Sequence, residues 1–81
     1  MKRAVALRYD QDDEAPVVVS CGEGDLANRM ERAAMQFFVP VVRDAPLAAA
    51  LAELNVGEAI PEALYEAVAE ILRELAEATH G

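Results

Sequence analysis

The chain has 81 residues, enough for one domain around a small core and too few for a second. Fifteen acidic against seven basic side chains leave a formal charge of -8, and clustered cations that would grip a nucleic acid or an anionic membrane are missing. Cys21 is the single cysteine, which excludes an internal disulfide and a multi-cysteine metal cage and suits a reducing cytoplasm.

In chain order, Met1 to Tyr9 holds Lys2, Arg3 and Arg8 around a short apolar stretch. That stretch is too brief for a secretory signal and far short of the roughly 20 residues that span a bilayer, so a soluble cytoplasmic chain without membrane insertion is expected. Within it, Arg3 to Tyr9 alternates, with Val5 and Leu7 on one side and Ala4, Ala6 and Arg8 on the other, as a strand does. Asp10 to Glu14 breaks the pattern as an exposed acidic connection. Pro16 then presets an extended backbone for Val17, Val18 and Val19, so the two runs read as a hairpin. Cys21-Gly22-Glu23-Gly24 reads as a turn into a helix from about Asp25 to Phe38, whose apolar spacing falls on Leu26, Met30, Ala33, Ala34 and Phe37. Val39-Pro40-Val41-Val42 reads as a third strand at the sheet edge, parallel to the valine strand through a right-handed crossover.

Asp44-Ala45-Pro46 opens a short helical segment from Leu47 to Leu54, which Asn55-Val56-Gly57 ends. Pro61 stands where the first turn of a helix tolerates a residue without an N–H, and Glu62 to Ala78 carries the clearest helical period in the chain. Leu64, Val68, Ile71 and Leu75 point one way. Glu66, Glu70, Arg73, Glu74 and Glu77 point the other, and Tyr65, Ala69, Leu72 and Ala76 form a flank between them. That flank packs on the Leu47 to Leu54 segment or stays open for a partner. The fold class is therefore α/β: a single domain over residues 1–81, a small mixed sheet of about three strands flanked by helices, and a frayed tail from about residue 78.

No chemistry of an active site is assembled in the sequence. A Cys21 nucleophile lacks a nearby base, because the one histidine, His80, lies in the terminal tail; a structural cysteine is the reading taken. Gly22-x-Gly24 has no third glycine, and Glu23 and Asp25 repel an anion, so it reads as a turn and not a phosphate cradle. Asp12, Asp13 and Glu14 lack the spacing of a calcium loop and read as a solvated connection. The row Glu62, Glu66, Glu70, Glu74 places like charges one turn apart, offset in part by Arg73 toward Glu70 and Glu77. No catalytic residue, metal or cofactor is assigned.

Three stretches taken together are more specific: Ala4-Val5-Ala6-Leu7-Arg8-Tyr9-Asp10, Ala45-Pro46-Leu47-Ala48 to Leu51, and Gly57-x-x-Ile60-Pro61-x-x-Leu64-Tyr65-x-Ala67-Val68-Ala69-Glu70. With Ala15-Pro16, Gly22-x-Gly24 and Val39-Pro40 between them, they resemble the C-terminal half of the cytoplasmic domain of the FlhB/YscU family, the export-gate switch proteins of flagellar and type III secretion systems. The resemblance runs from Ala4 to about Leu75. Members of that family carry an Asn-Pro-Thr-His segment before the first of these strands and cleave themselves within it; Met1-Lys2-Arg3 stands in that place here.

The resemblance implies a fold like that cytoplasmic domain. It also implies a non-enzymatic accessory of the export apparatus, cytoplasmic, with a peripheral place at the membrane gate open to it, that mimics the cleaved C-terminal fragment. Its partners would be export substrates, gate proteins and the N-terminal part of a full-length FlhB-type protein, which would add a strand to an unpaired sheet edge. The alternative is a regulator that sequesters a secretion component away from the gate. The family's shallow apolar docking patch falls, in this sequence, on Ala15, Pro16, Ala69 and Leu72; the competing assignment puts Ala69 and Leu72 in the core.

Overall fold

A computed structural model describes the backbone of residues 1–80 and the side chains of residues 1–77. The tail expected to fray from about residue 78 and the imidazole of His80 lie outside the described side chains. Two strands, β1 (Arg3–Arg8) and β2 (Val17–Glu23), are followed by α1 (Asp25–Gln36), α2 (Ala45–Leu51), a 3-10 turn (Glu62–Leu64) and α3 (Tyr65–His80). The strands pair antiparallel, with Val5 opposite Cys21 and Leu7 opposite Val18, and the register shifts between Ala6 and Leu7. The hairpin and the α/β class expected from the valine runs are therefore present.

β2 continues further than its valines, through Cys21, Gly22 and Glu23, so the turn into α1 is Gly24 alone, at φ 58. Gly22 belongs to the strand because α1 lies directly on it. A β-carbon there would stand 2.7 Å from Leu26 Cγ and 2.8 Å from Met30 Sδ, inside van der Waals contact. Burial on α1 does not follow residue size. Ala27 is fully buried and Met30 and Ala34 are half-buried, whereas Leu26, Ala33 and Phe37, expected in the core, are largely exposed. The absent side chain at Gly22 leaves the room in which Leu26 and Met30 seat the helix on a narrow platform of two strands.

Val39–Val42 is not a strand. The described residues hold one two-stranded sheet, antiparallel and not mixed, and residues 39–42 are exposed outside it. An extended valine run needs a neighbour for its backbone groups, and Pro40 removes one of the donors. The second edge of β2 is instead met by the segment before α3. Val18 N donates to Glu58 O at 2.9 Å, Gly57 N to Val18 O at 2.7 Å and Ile60 N to Pro16 O at 2.9 Å. β1 has no comparable backbone partner on its outer edge among the described residues.

The core gathers Ala15, Leu51, Ile60 and Val68, with Val5, Leu7, Leu47, Leu54 and Leu64 packed against it. α2 is started by Asp44, whose Oδ1 accepts from Leu47 N at 3.1 Å, with Pro46 in its first turn. Pro61 caps the 3-10 turn that leads into α3. On α3, Val68 is buried and Leu64, Ile71 and Leu75 are half-buried, while Glu66, Glu70, Glu74 and Glu77 face solvent, as the helical period predicts. The flank of Tyr65, Ala69, Leu72 and Ala76 stays exposed, so of the two arrangements open to it the helix adopts the uncovered one.

Candidate functional site

Ala15 and Pro16 end the loop between the strands, and both are buried: Pro16 extends the backbone into β2 and gives its carbonyl to Ile60 N, which locks the loop end over the core. Val68 holds α3 against the same cluster. The helical period then brings Ala69 and Leu72 to the surface next to Ala15 and Pro16. All four sit in one shallow, open groove of ≈ 170 Å³, together with Val68 at its floor. Pockets that enclose drug-sized ligands run to roughly 300–1,000 Å³, so this groove has room for a single large side chain and not for a small-molecule site. Ala69 and Leu72 are surface residues, which removes them from the core; Ala15, at 5% exposure, belongs to core and groove at once.

Three further residues complete the groove: Tyr9 and Tyr65 flank it and Glu14 lines it. Tyr65 was within reach of the sequence, since it shares the flank of Ala69 and Leu72. Tyr9 and Glu14 were not, because only the folded hairpin brings the end of β1 and the acidic loop beside α3. Both tyrosines are exposed, and with a groove of this depth they act as walls.

The loop that carries Tyr9 and Glu14 is tied by Asp13. Its Oδ2 accepts from Asp10 N at 2.9 Å and from Arg8 Nε at 3.3 Å, and its Oδ1 accepts from Arg8 Nη2 at 3.3 Å. Asp13 N in turn donates to Asp10 O at 3.0 Å, closing a tight turn. The backbone N–H of Asp10 and then Arg8 hold the Asp13 carboxyl below the ordinary carboxylate range, and Asp13 raises the Arg8 guanidinium. The acidic run is thus a pinned connection with one ordered carboxylate. At the far end of the hairpin, Glu31 accepts from Lys2 Nζ at 2.8 Å and from Arg43 Nη1 at 3.3 Å, and these contacts lower its pKa, the Lys2 bond most.

Among the described residues, no three His, Cys, Asp or Glu side chains come together as a metal site would require, and no helix is long and apolar enough to cross a membrane. Cys21 is half-buried in β2 opposite Val5, with no hydrogen-bond partner for its thiol among the described residues. Arg73 forms no ion pair with Glu70 or Glu77 within 4.0 Å, so the offset expected along the glutamate row is diffuse attraction and not a bridge. What the arrangement provides chemically is apolar contact, two aromatic walls and one carboxylate.

Comparison with known proteins gives this geometry a family context. The family model described as "FlhB HrpN YscU SpaS Family" matches residues 1–75. The uncharacterized protein YlqH of Bacillus subtilis (strain 168) is 44% identical over 72 residues, covering 88% of this chain and 77% of its own length. The flagellar biosynthetic protein FlhB of Aquifex aeolicus (strain VF5) is 44% identical over 71 residues, covering 85% of this chain but 20% of FlhB. FlhB of Salmonella typhimurium is 42% identical over 71 residues and is covered over 18% of its length. The chain thus spans about a fifth of these FlhB proteins. Among solved structures, the PscU C-terminal domain superposes with a TM-score of 0.85 at 37% identity, covering 90% of this chain and 95% of that one. A mutated EscU/SpaS C-terminal domain superposes with a TM-score of 0.88 at 28% identity, covering 93% and 95%.

Proposed function

The chain belongs to the FlhB HrpN YscU SpaS family, and from that membership we propose that it is a soluble cytoplasmic accessory of the flagellar or type III protein export apparatus. It takes the part of the cleaved C-terminal fragment of the gate's switch protein and binds export substrates or gate components. The observation that carries this reading is the convergence of Ala15, Pro16, Ala69 and Leu72, distant in sequence, on one open apolar groove. A groove with apolar walls and no enclosed pair of titratable groups suits protein binding better than catalysis.

Ala69→Asp tests it. The aspartate puts a charge where a docked apolar side chain would sit, so substrate binding falls about tenfold or more. Because Ala69 is exposed, the cost to folding is the helix propensity of about 0.7 kcal/mol, a fall of a few degrees in melting temperature and not unfolding. Unchanged binding to purified export substrates overturns the reading. An accessory of this kind also co-purifies with the export membrane fraction, whereas a regulator that sequesters a secretion component away from the gate does not.

The unpaired outer edge of β1 supports a second contact of the same accessory, with the N-terminal part of a full-length FlhB-type protein. That edge offers N–H and C=O groups to an added strand, while the corresponding edge of β2 is already met by Gly57, Glu58 and Ile60 at Pro16–Val18.

A further inference from the structure

The end of α1 carries apolar surface that the fold does not use. Met35, Phe37, Phe38 and Val39 are all more than half exposed, Phe37 at 71% and Phe38 at 93%. Backbone bonds from Phe38 N to Met35 O and from Val39 N to Ala34 O draw the four into a single closing turn, so they form one knob. Among the described residues, Phe38 is also the one other than glycine with a positive φ. Backbone strain of this kind gathers at functional sites, and a cluster of exposed apolar side chains marks an interaction surface.

Residues 33–42 contain no charged side chain, the longest such run in a chain of net charge -8. Arg32 and Arg43 bound the run on either side, with Arg29 about a turn further back, and Arg43 is held by Glu31. No knob residue lines the groove at Ala15 or the one between Lys2 and Arg43. Apolar area without charge is complementary to itself, because a two-fold axis sets the patch against its own copy and opposes no carboxylates. Two rings of about 200 Å² each, with Met35 and Val39, offer on the order of 500 Å² per copy. A pair then removes about 1,000 Å² from water, the low end for a specific association.

We propose that a second copy of this chain covers the knob, in a weak two-fold dimer with a Kd on the order of 100 µM. Elsewhere two copies of net charge -8 repel, so the dimer forms through this uncharged face and tightens as salt screens the rest. An anionic lipid surface suits the knob less, since the fifteen carboxylates of the chain outweigh Arg29 and Arg32 there. None of the four residues lines the groove at Ala15 or belongs to β1, so pairing draws on surface that the proposed docking roles leave free.

Sedimentation of the full chain from about 5 µM to about 500 µM tests the proposal. The parent chain passes from monomer toward a dimer plateau, and its Kd falls severalfold from low to high salt. F38G is the informative variant because it relieves the backbone: at about 5 µM its melting temperature rises, while its dimer Kd rises about tenfold or more. Pairing lost by a chain that has become more stable is not lost through misfolding. F37S, which leaves the Phe38 backbone as it is, weakens the dimer too, and F37L keeps most of it. A parent chain that stays monomeric throughout overturns the proposal, and so does F38G pairing as tightly as the parent. Species that grow past the dimer with concentration overturn the two-fold contact. Binding to anionic vesicles by a chain that is monomeric without them assigns the knob to lipid and overturns the second copy.

Discussion

Phe38 occupies the position just past α1 that glycine usually fills. It sits at φ 59, with Phe38 N donating to Met35 O at 3.3 Å and Val39 N to Ala34 O at 2.7 Å, the paired bonds of a Schellman ending. An L-residue held there costs roughly 1–2 kcal/mol, more than the conformational freedom that glycine forfeits on folding. The ring returns nothing, since it is 93% exposed. Phe38→Gly is therefore expected to stabilise the domain by about 1 kcal/mol, which for a chain of this size raises the melting temperature by roughly 4–8 °C. A thermal melt that does not move, or moves down, contradicts the cost assigned to this backbone.

At the scale of elements, the loop between β1 and β2 is expected to loosen in acid. The folded pKa of Asp13 is depressed, first by the Asp10 N–H and then by Arg8. Its contribution is thus fully present above the unfolded carboxylate value of about 4 and is lost as the pH falls through the lower folded value. Glu31 behaves in the same sense through Lys2 and Arg43. Protection of the amides of residues 10–14, taken relative to the intrinsic exchange rate at each pH, should fall on acidification through this window while that of Val18 persists, and D13A should show the lowered protection already at neutral pH. Exchange in that loop unaffected by D13A at neutral pH would mean that the turn stands without its carboxylate. Elements also differ in how far the sequence declared them. α3 was legible because a 3.6-residue period repeated over many residues has one interpretation, and the hairpin because its two apolar runs are joined by an acidic loop and Pro16. Val39–Val42 misled because β-branched residues record a preference for extended backbone, whereas a strand exists only where another lies beside it. α1 misled because residue size does not set its burial: Ala27 is sealed, while Leu26, which reaches over Gly22, is still half exposed. At the site, Ala69 and Leu72 followed from the family resemblance and the helix flank together; Tyr9 and Glu14 depend on contacts between distant segments that no local pattern encodes.

For the whole molecule, the outer edge of β1 takes no backbone partner among the described residues. Mixing the chain with an FlhB-type gate protein truncated before its C-terminal fragment should slow amide exchange along Arg3–Arg8 and co-purify the two, since an added strand would use the groups that β1 leaves unpaired. Failure of both readouts removes the pairing with the gate. α3 meanwhile divides its circumference among three duties. Val68 is sealed at 3% exposure, the glutamates are solvated, and Ala69 and Leu72 lie open between them. Ala69 and Leu72 thus shape the slot without holding the domain shut, whereas Ala15 and Val68 do both. On the docking role proposed for the groove, exchanges at Ala69 or Leu72 alter what the surface prefers with little effect on folding, so recognition in such a small domain is free to diversify one side chain at a time.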